Sequence, residues 1–128
     1  MVRQAAGGLA KIGQIAIPVS ELDRAIVFYR DTLGMRFMFQ APSGLAFFDC
    51  GGVRLMLDVA AKSSPEIRSS LLYFSVDDID ANHELLVSRG VEFEAPPHLV
   101  AKLPDHELWM AFFRDPDRNL LALMCEKR

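Results

Sequence analysis

Apolar and polar positions along this chain follow two periods. Across Gln14–Val19, Ile15, Ile17 and Val19 fall on one side of an extended strand, and Gln14, Ala16 and Pro18 on the other. From Leu22 the period lengthens. Leu22, Ile26, Tyr29 and Leu33 recur at spacings of 4, 3 and 4, a single stripe on a helix. Ser20 followed by Asp23 fits a capping box at its start. Gly34 ends it, free to adopt the left-handed conformation. Beyond it, Phe47-Phe48-Asp49, a two-residue turn at Gly51-Gly52 and the run Val53–Leu57 read as further strands.

The same order then returns. Ile15–Asp23 resembles Leu72–Asp80, 57 positions on (72 − 15). The second copy continues into a helix with Asp77 or Asp78 as its cap and Ile79, His83 and Leu86 as its stripe. It stops at Gly90. Phe112-Phe113-Arg114 and the run Leu120–Cys125 match the later strands of the first copy. The chain therefore reads as strand, helix and about three strands, done twice, with module 11–59 and module 70–127 forming one domain, 11–127. The segment 60–69, small, polar and Pro-containing at Ala60–Glu66, is the linker.

Strand parity separates two faces. Ile15, Ile17 and Val19, Val53, Leu55 and Leu57, Leu72, Phe74 and Val76, and Leu121, Leu123 and Cys125 form an apolar face for the helices to cover. The opposite face is mixed. It carries Gln14, Ala16 and Pro18, Arg54, Met56 and Asp58, Leu71, Tyr73 and Ser75, and Leu120, Ala122 and Met124. A half-buried antiparallel sheet normally shows water a polar face. Apolar lining with a few polar anchors fits a concave surface that closes on a ligand, or one that meets another subunit.

Composition and charge narrow the partners. Hydrophobic residues make up 51% of the 128 and charged residues 24%, which argues against disorder. The formal net charge of −3, with no concentrated basic face, argues against a nucleic-acid partner. No apolar run approaches the roughly 20 residues of a membrane helix, and Met1–Gly8 lacks the apolar core of a signal peptide. Cys50 and Cys125 form no CxxC and read as free thiols of a reducing cytoplasm.

Two stretches carry a family resemblance: Gln14–Met35, with strand, acidic-Leu start, Phe28-Tyr29 and the Leu33-Gly34 stop, and Phe113-Arg114-Asp115-Pro116-Asp117-Arg118-Asn119-Leu120. They resemble the vicinal oxygen chelate superfamily, which includes glyoxalase I, bleomycin-resistance proteins, methylmalonyl-CoA epimerase and extradiol dioxygenases. The second stretch is similar to that family's Asp-Pro-Asp-Gly-Asn turn, with Arg118 at the glycine position. The resemblance implies an α+β fold of paired βαβββ modules, whose mixed sheets curl into a cup with the helices outside, often in a homodimer. In metal-using members one ligand comes from each module's first strand and one from its last. Those positions fall on Gln14, Met56, Leu71 and Ala122, all on the mixed face. Leu71 and Ala122 cannot ligate, and Met56 offers only a thioether, so the expectation is no metal and no cofactor.

Other candidates are weaker. His98 and His106 flank a predicted hairpin strand and Glu107 follows; they read as loop histidines beside prolines, or as an acid–base cluster at the cup mouth. Trp109 reads equally as pocket lining or as packing. The reading that results is a protein that binds a small organic molecule in an apolar cup without a metal, with Gln14, Arg54, Met56, Asp58, Leu71, Tyr73, Trp109 and Ala122 as ligand-binding residues. The alternative is a metal-dependent lyase, isomerase or dioxygenase of the glyoxalase type, which would polarise vicinal oxygens through its ion.

Overall fold

The alternation of Gln14–Val19 and of the runs near residues 55, 74 and 123 resolves into strands with their apolar sides turned to a shared core. In the computed structural model, which describes residues 8–64, 66 and 68–128, the first half runs β1 (Gln14–Pro18), α1 (Leu22–Val27), β2 (Arg36–Ala41), β3 (Leu45–Cys50) and β4 (Val53–Asp58). A short helix α2 (Val59–Lys62) leads on to β5 (Leu72–Ser75), α3 (Ile79–Ser88), β6 (His98–Lys102), β7 (Glu107–Arg114) and β8 (Leu120–Lys127). Among the described residues the strands form two four-stranded sheets, ordered β1-β4-β3-β2 and β5-β8-β7-β6. Each sheet comes from one half. The pairs β1–β4 and β5–β8 are parallel and the others antiparallel. The fold is thus α+β, with the strand–helix–three-strand order repeated. The residues read as a linker, 60–69, take in the last three residues of α2, and Pro65 and Ile67 lie outside the described residues, as does most of the Met1–Gly8 stretch. No helix among the described residues is long and apolar enough to cross a membrane.

Apolar side chains of both sheets and both long helical stretches meet in one core cluster. It joins Ile17, Phe48, Leu55 and Leu57 to Ile26 and Tyr29, and Phe113, Leu121 and Leu123 to Ile79 and Leu86. The stripe on α1 extends into a π-helical turn, Phe28–Thr32, where the Leu33 N–H donates to the Phe28 carbonyl. Gly34 and Gly90, with φ of +74° and +90°, follow the two helical stretches, as their sequence positions imply. Asp78 caps α3 by accepting from the Ala81 N–H at 3.0 Å. The capping box at Ser20 does not form. The residue before α1 is Glu21, whose side chain makes no cap bond. The Ser20 hydroxyl accepts from Arg24 instead, and the Ser20 N–H donates to Asp117 from the other half at 2.8 Å.

The halves are pinned where β7 turns into β8. Asp115 is buried, 3% exposed. Its carboxylate accepts from the Tyr29 hydroxyl at 2.8 Å, from the N–H groups of Asp117 and Asn119 at 2.9 and 2.8 Å, and from Asn119 Nδ2 at 2.8 Å. Asn119 Nδ2 also donates to the Pro18 carbonyl at the end of β1, at 3.0 Å. Burial first, and then the Asp115 charge, pushes the Tyr29 phenol far above its ordinary range, so it remains a neutral donor.

Two stability outcomes follow. Tyr29→Phe leaves the buried carboxylate one donor short and is expected to lower unfolding free energy by about 1–3 kcal/mol in a urea titration; an unchanged midpoint would remove this contact from the account. Arg118 stands at φ +69°, a region that favours glycine. Arg118→Gly keeps the backbone bonds of the turn and is expected to gain about 0.5–1 kcal/mol by the same measurement.

Candidate functional site

Parity within each sheet fixes what the surfaces turned away from the core carry. In the first sheet Gln14 pairs with Arg54, Ala16 with Met56, Phe47 with Met56 and Phe39 with Phe47. In the second, Tyr73 pairs with Ala122, Phe112 with Ala122, Met110 with Met124 and His98 with Met110. Ala16–Met56 and Tyr73–Ala122 are the same pair in the two halves. Phe47 and Ala122 are buried yet stand outside the core cluster, which marks them as part of the opposite surface.

These two faces are rich in rings. Phe39 lies against Phe47 at 4.8 Å between centroids with planes 30° apart, and the Arg54 guanidinium sits over Phe47 at 5.7 Å. On the second sheet Tyr73 meets Phe112 edge-on at 6.2 Å, and His98 stacks on Phe112 at 6.1 Å and 25°. Much of this remains open to solvent: Phe39 is 47% exposed and Tyr73 45%. Among the described residues, the side-chain hydrogen bonds and ion pairs that cross between the halves involve Pro18, Ser20, Arg24, Tyr29, Thr32 and Lys62 on one side and Arg89, Asp115, Asp117 and Asn119 on the other. No mixed-face side chain contributes one. Among the described residues no side-chain hydrogen bond or ion pair joins one mixed face to the other.

The eight residues singled out by sequence divide accordingly. Gln14, Arg54 and Met56 sit together on the first sheet, where Gln14 Nε2 donates to the Met56 sulfur at 3.6 Å. Tyr73 and Ala122 sit together on the second. Leu71 stands one residue before β5, partly buried. Asp58 is the last residue of β4 and is spent locally: its carboxylate accepts from the Ala61 N–H at 3.3 Å and caps α2. Trp109 lies on the other face. It pairs with Cys125, packs against the core cluster, donates to Glu107 at 3.0 Å and carries the Lys127 ammonium 4.2 Å above its ring.

The histidines do not gather. His98 joins the ring cluster, whereas His106 is held at 2.8 Å to Asp105 with Glu126 at 3.8 Å, and His83 stacks on Phe93 at 4.4 Å. Burial, and then Asp49, raises the Cys50 thiol, which disfavours a thiolate nucleophile. Sequence reasoning did not single out Phe39, Phe47 and Phe112, and it weighed His98 only as a loop residue or as part of an acid–base cluster. Parity was available for Phe47 and Phe112, whereas an irregularity between Phe37 and Phe39 in β2 disrupts the alternation that would have marked Phe39.

The donor set does not suit a divalent ion. Gln14 contributes one amide oxygen, Met56 a thioether, and Leu71 and Ala122 nothing. Among the described residues no three His, Cys, Asp or Glu side chains are grouped to hold a metal.

Comparison with known proteins bears on this geometry. A family model described as the Glyoxalase/Bleomycin resistance protein/Dioxygenase superfamily matches residues 11–123. The uncharacterized protein YraH of Bacillus subtilis (strain 168) is 28% identical over 129 residues, covering 88% of this chain and 96% of its own. Among solved structures, TnmS3, an antibiotic binding protein from Streptomyces sp. CB03234, superposes with a TM-score of 0.72 at 26% identity, covering 93% of this chain and 98% of its own. A member of the same superfamily from Sphaerobacter thermophilus DSM 20745 superposes with a TM-score of 0.73 at 25% identity, covering 92% and 98%.

Restoring donors tests the register. The chain as it stands is expected to retain far less than one zinc per molecule after dialysis, read by elemental analysis. The triple variant Met56→Glu, Leu71→His, Ala122→Glu, which joins two carboxylates and an imidazole to Gln14, is expected to retain about one. Stoichiometric zinc on the unaltered chain would contradict the donor argument.

Proposed function

Because the chain belongs to the Glyoxalase/Bleomycin resistance protein/Dioxygenase superfamily, and its mixed faces carry rings where a chelating set would stand, we propose that it binds a small planar organic molecule there without a metal. The observation that carries this reading is the pairing of Ala16 with Met56 and of Tyr73 with Ala122. The sheet positions that would have to chelate are thereby set among Phe47, Tyr73 and Phe112, side chains that stack and exclude water. Apolar walls with a few polar anchors hold such ligands by contact area, with orientation set by hydrogen bonds.

The roles divide by chemistry. Phe39 and Phe47 form one wall, and Tyr73, Phe112 and His98 the other. Arg54, exposed above Phe47, is the anchor for a carboxylate or phosphate on the ligand, because a guanidinium fork pairs bidentately with either. Gln14 and the Tyr73 hydroxyl offer neutral hydrogen bonds. Each mixed face leaves one ring largely exposed, Phe39 on the first sheet and Tyr73 on the second, and the cup we propose is closed by a second copy, one sheet from each chain. The exposed Phe39 and Tyr73 rings are what such a dimer would cover. That TnmS3 is described as an antibiotic binding protein supports a binding role for this chain. The free thiols Cys50 and Cys125 fit a reducing, cytoplasmic setting.

A thermal-shift screen of planar aromatic carboxylates in the presence of EDTA tests the proposal. Hits are expected without added metal, and Arg54→Ala is expected to weaken a carboxylate hit about tenfold, the effect of one charge-assisted pair. Sedimentation is expected to show a dimer. A screen that responds only after a divalent metal is supplied would overturn the metal-free reading and favour the glyoxalase-type enzyme.

A further inference from the structure

A cavity of about 160 Å³ lies on the core-facing side of the second sheet, beneath α3. Met35 and Leu33 from the first half, and Phe74, Leu86, Phe113 and Leu123 from the second, supply its apolar lining. Phe74 and Leu123 are paired neighbours on the face opposite Tyr73 and Ala122, so this space is separate from the mixed surface. Leu85, 46% exposed, and the exposed Arg89 border its opening. Natural interiors leave few voids larger than a water molecule, and unfilled apolar space is destabilising. A cavity of roughly 150 Å³ is enough to admit benzene.

Arg89 gives the opening a charge. Its Nη1 donates to the Thr32 carbonyl at 3.0 Å, which ties the guanidinium across the junction of the two halves. Among the described residues no carboxylate lies within ion-pair distance of it. A guanidinium has five N–H donors, so one bond to Thr32 leaves capacity for a carboxylate. Apolar volume of one ring, entered beside a cation with no acidic partner, selects a guest with an apolar body and a single negative end.

We propose that this cavity is a second small-molecule site, which takes a monocarboxylate whose apolar body is about one aromatic ring in size, with the ring among Met35, Phe74 and Leu123 and the carboxylate on Arg89. It is independent of the mixed-face reading and would stand if that reading failed.

Methionine methyl NMR on the full chain tests it, with phenylacetate as the probe and phenylacetamide as the neutral isostere. Met35 borders the cavity, whereas Met56, Met110 and Met124 lie on the mixed faces. Phenylacetate is expected to shift the Met35 methyl saturably, with a dissociation constant on the order of 1 mM for a ligand of this size. Arg89→Gln is expected to weaken phenylacetate about tenfold and leave phenylacetamide unchanged, since only the charged end meets the guanidinium. Val76 also lines the cavity, and Val76→Phe, which fills it, is expected to abolish both. Arg89→Gln alters an exposed side chain and keeps the test decisive if Val76→Phe does not fold. Absence of a saturable Met35 shift, shifts confined to Met56, Met110 and Met124, or an equal loss of both probes in Arg89→Gln would overturn the proposal.

Discussion

A buried carboxylate sets the geometry of this molecule. A charge taken out of water is costly unless hydrogen bonds replace its hydration. Asp115 meets that condition by drawing donors from three places: its own turn, the Asn119 amide and the Tyr29 hydroxyl of the other half. Asn119 extends the same network to the end of β1. Around it, Asp117 holds the Ser20 N–H and faces Arg24 and Lys62. The turn between β7 and β8 therefore acts as a clasp on the strand–helix junction of the first half. With the halves joined through this clasp and one apolar core, the helix-bearing faces turn inward and the mixed faces turn out.

That orientation links folding to function. The outward faces are the part of each sheet that the core does not need, so their side chains are free to be specified by something else. In the first sheet that specification is two stacked phenylalanines under an arginine, and in the second a tyrosine, a phenylalanine and a histidine in a row. On the reading we propose, such surfaces hold flat, partly apolar molecules through area, and a charged substituent through Arg54. The Glyoxalase/Bleomycin resistance protein/Dioxygenase superfamily gives this chain its architecture. The substitution of Met56, Leu71 and Ala122 for ligating side chains argues for recognition by contact rather than by coordination.

Much of this was legible in the order of residues, because the cues are local. The 57-residue repeat, the glycine stops at Gly34 and Gly90, the Gly51-Gly52 turn and the two-faced strands all depend on near neighbours. What local cues did not show has other causes. Ser20 was expected to cap α1, but its bonds run to Arg24 and to Asp117, which is 97 positions away. Asp58 has the parity of the mixed face, yet the chain turns into α2 directly after it and the carboxylate is drawn to Ala61. Trp109 shares parity with Ala111 and Phe113 on the core side, a signal available only once β7 is known to extend unbroken from Glu107. His98 gained its place on the mixed face from its pairing with Met110, which no local pattern announces.

The central claim is that the mixed faces hold an organic guest without help from an ion. Methionine methyls report on it directly, because Met56, Met110 and Met124 sit on those faces and Met35 does not. For an aromatic carboxylate ligand of the protein, titrated into the full chain in EDTA, the account predicts saturable shifts at Met56 and at Met110 or Met124, from both walls of one cup. Shifts that appear only after zinc or another divalent ion is added, or that leave all three methyls unmoved while the ligand saturates, would contradict it.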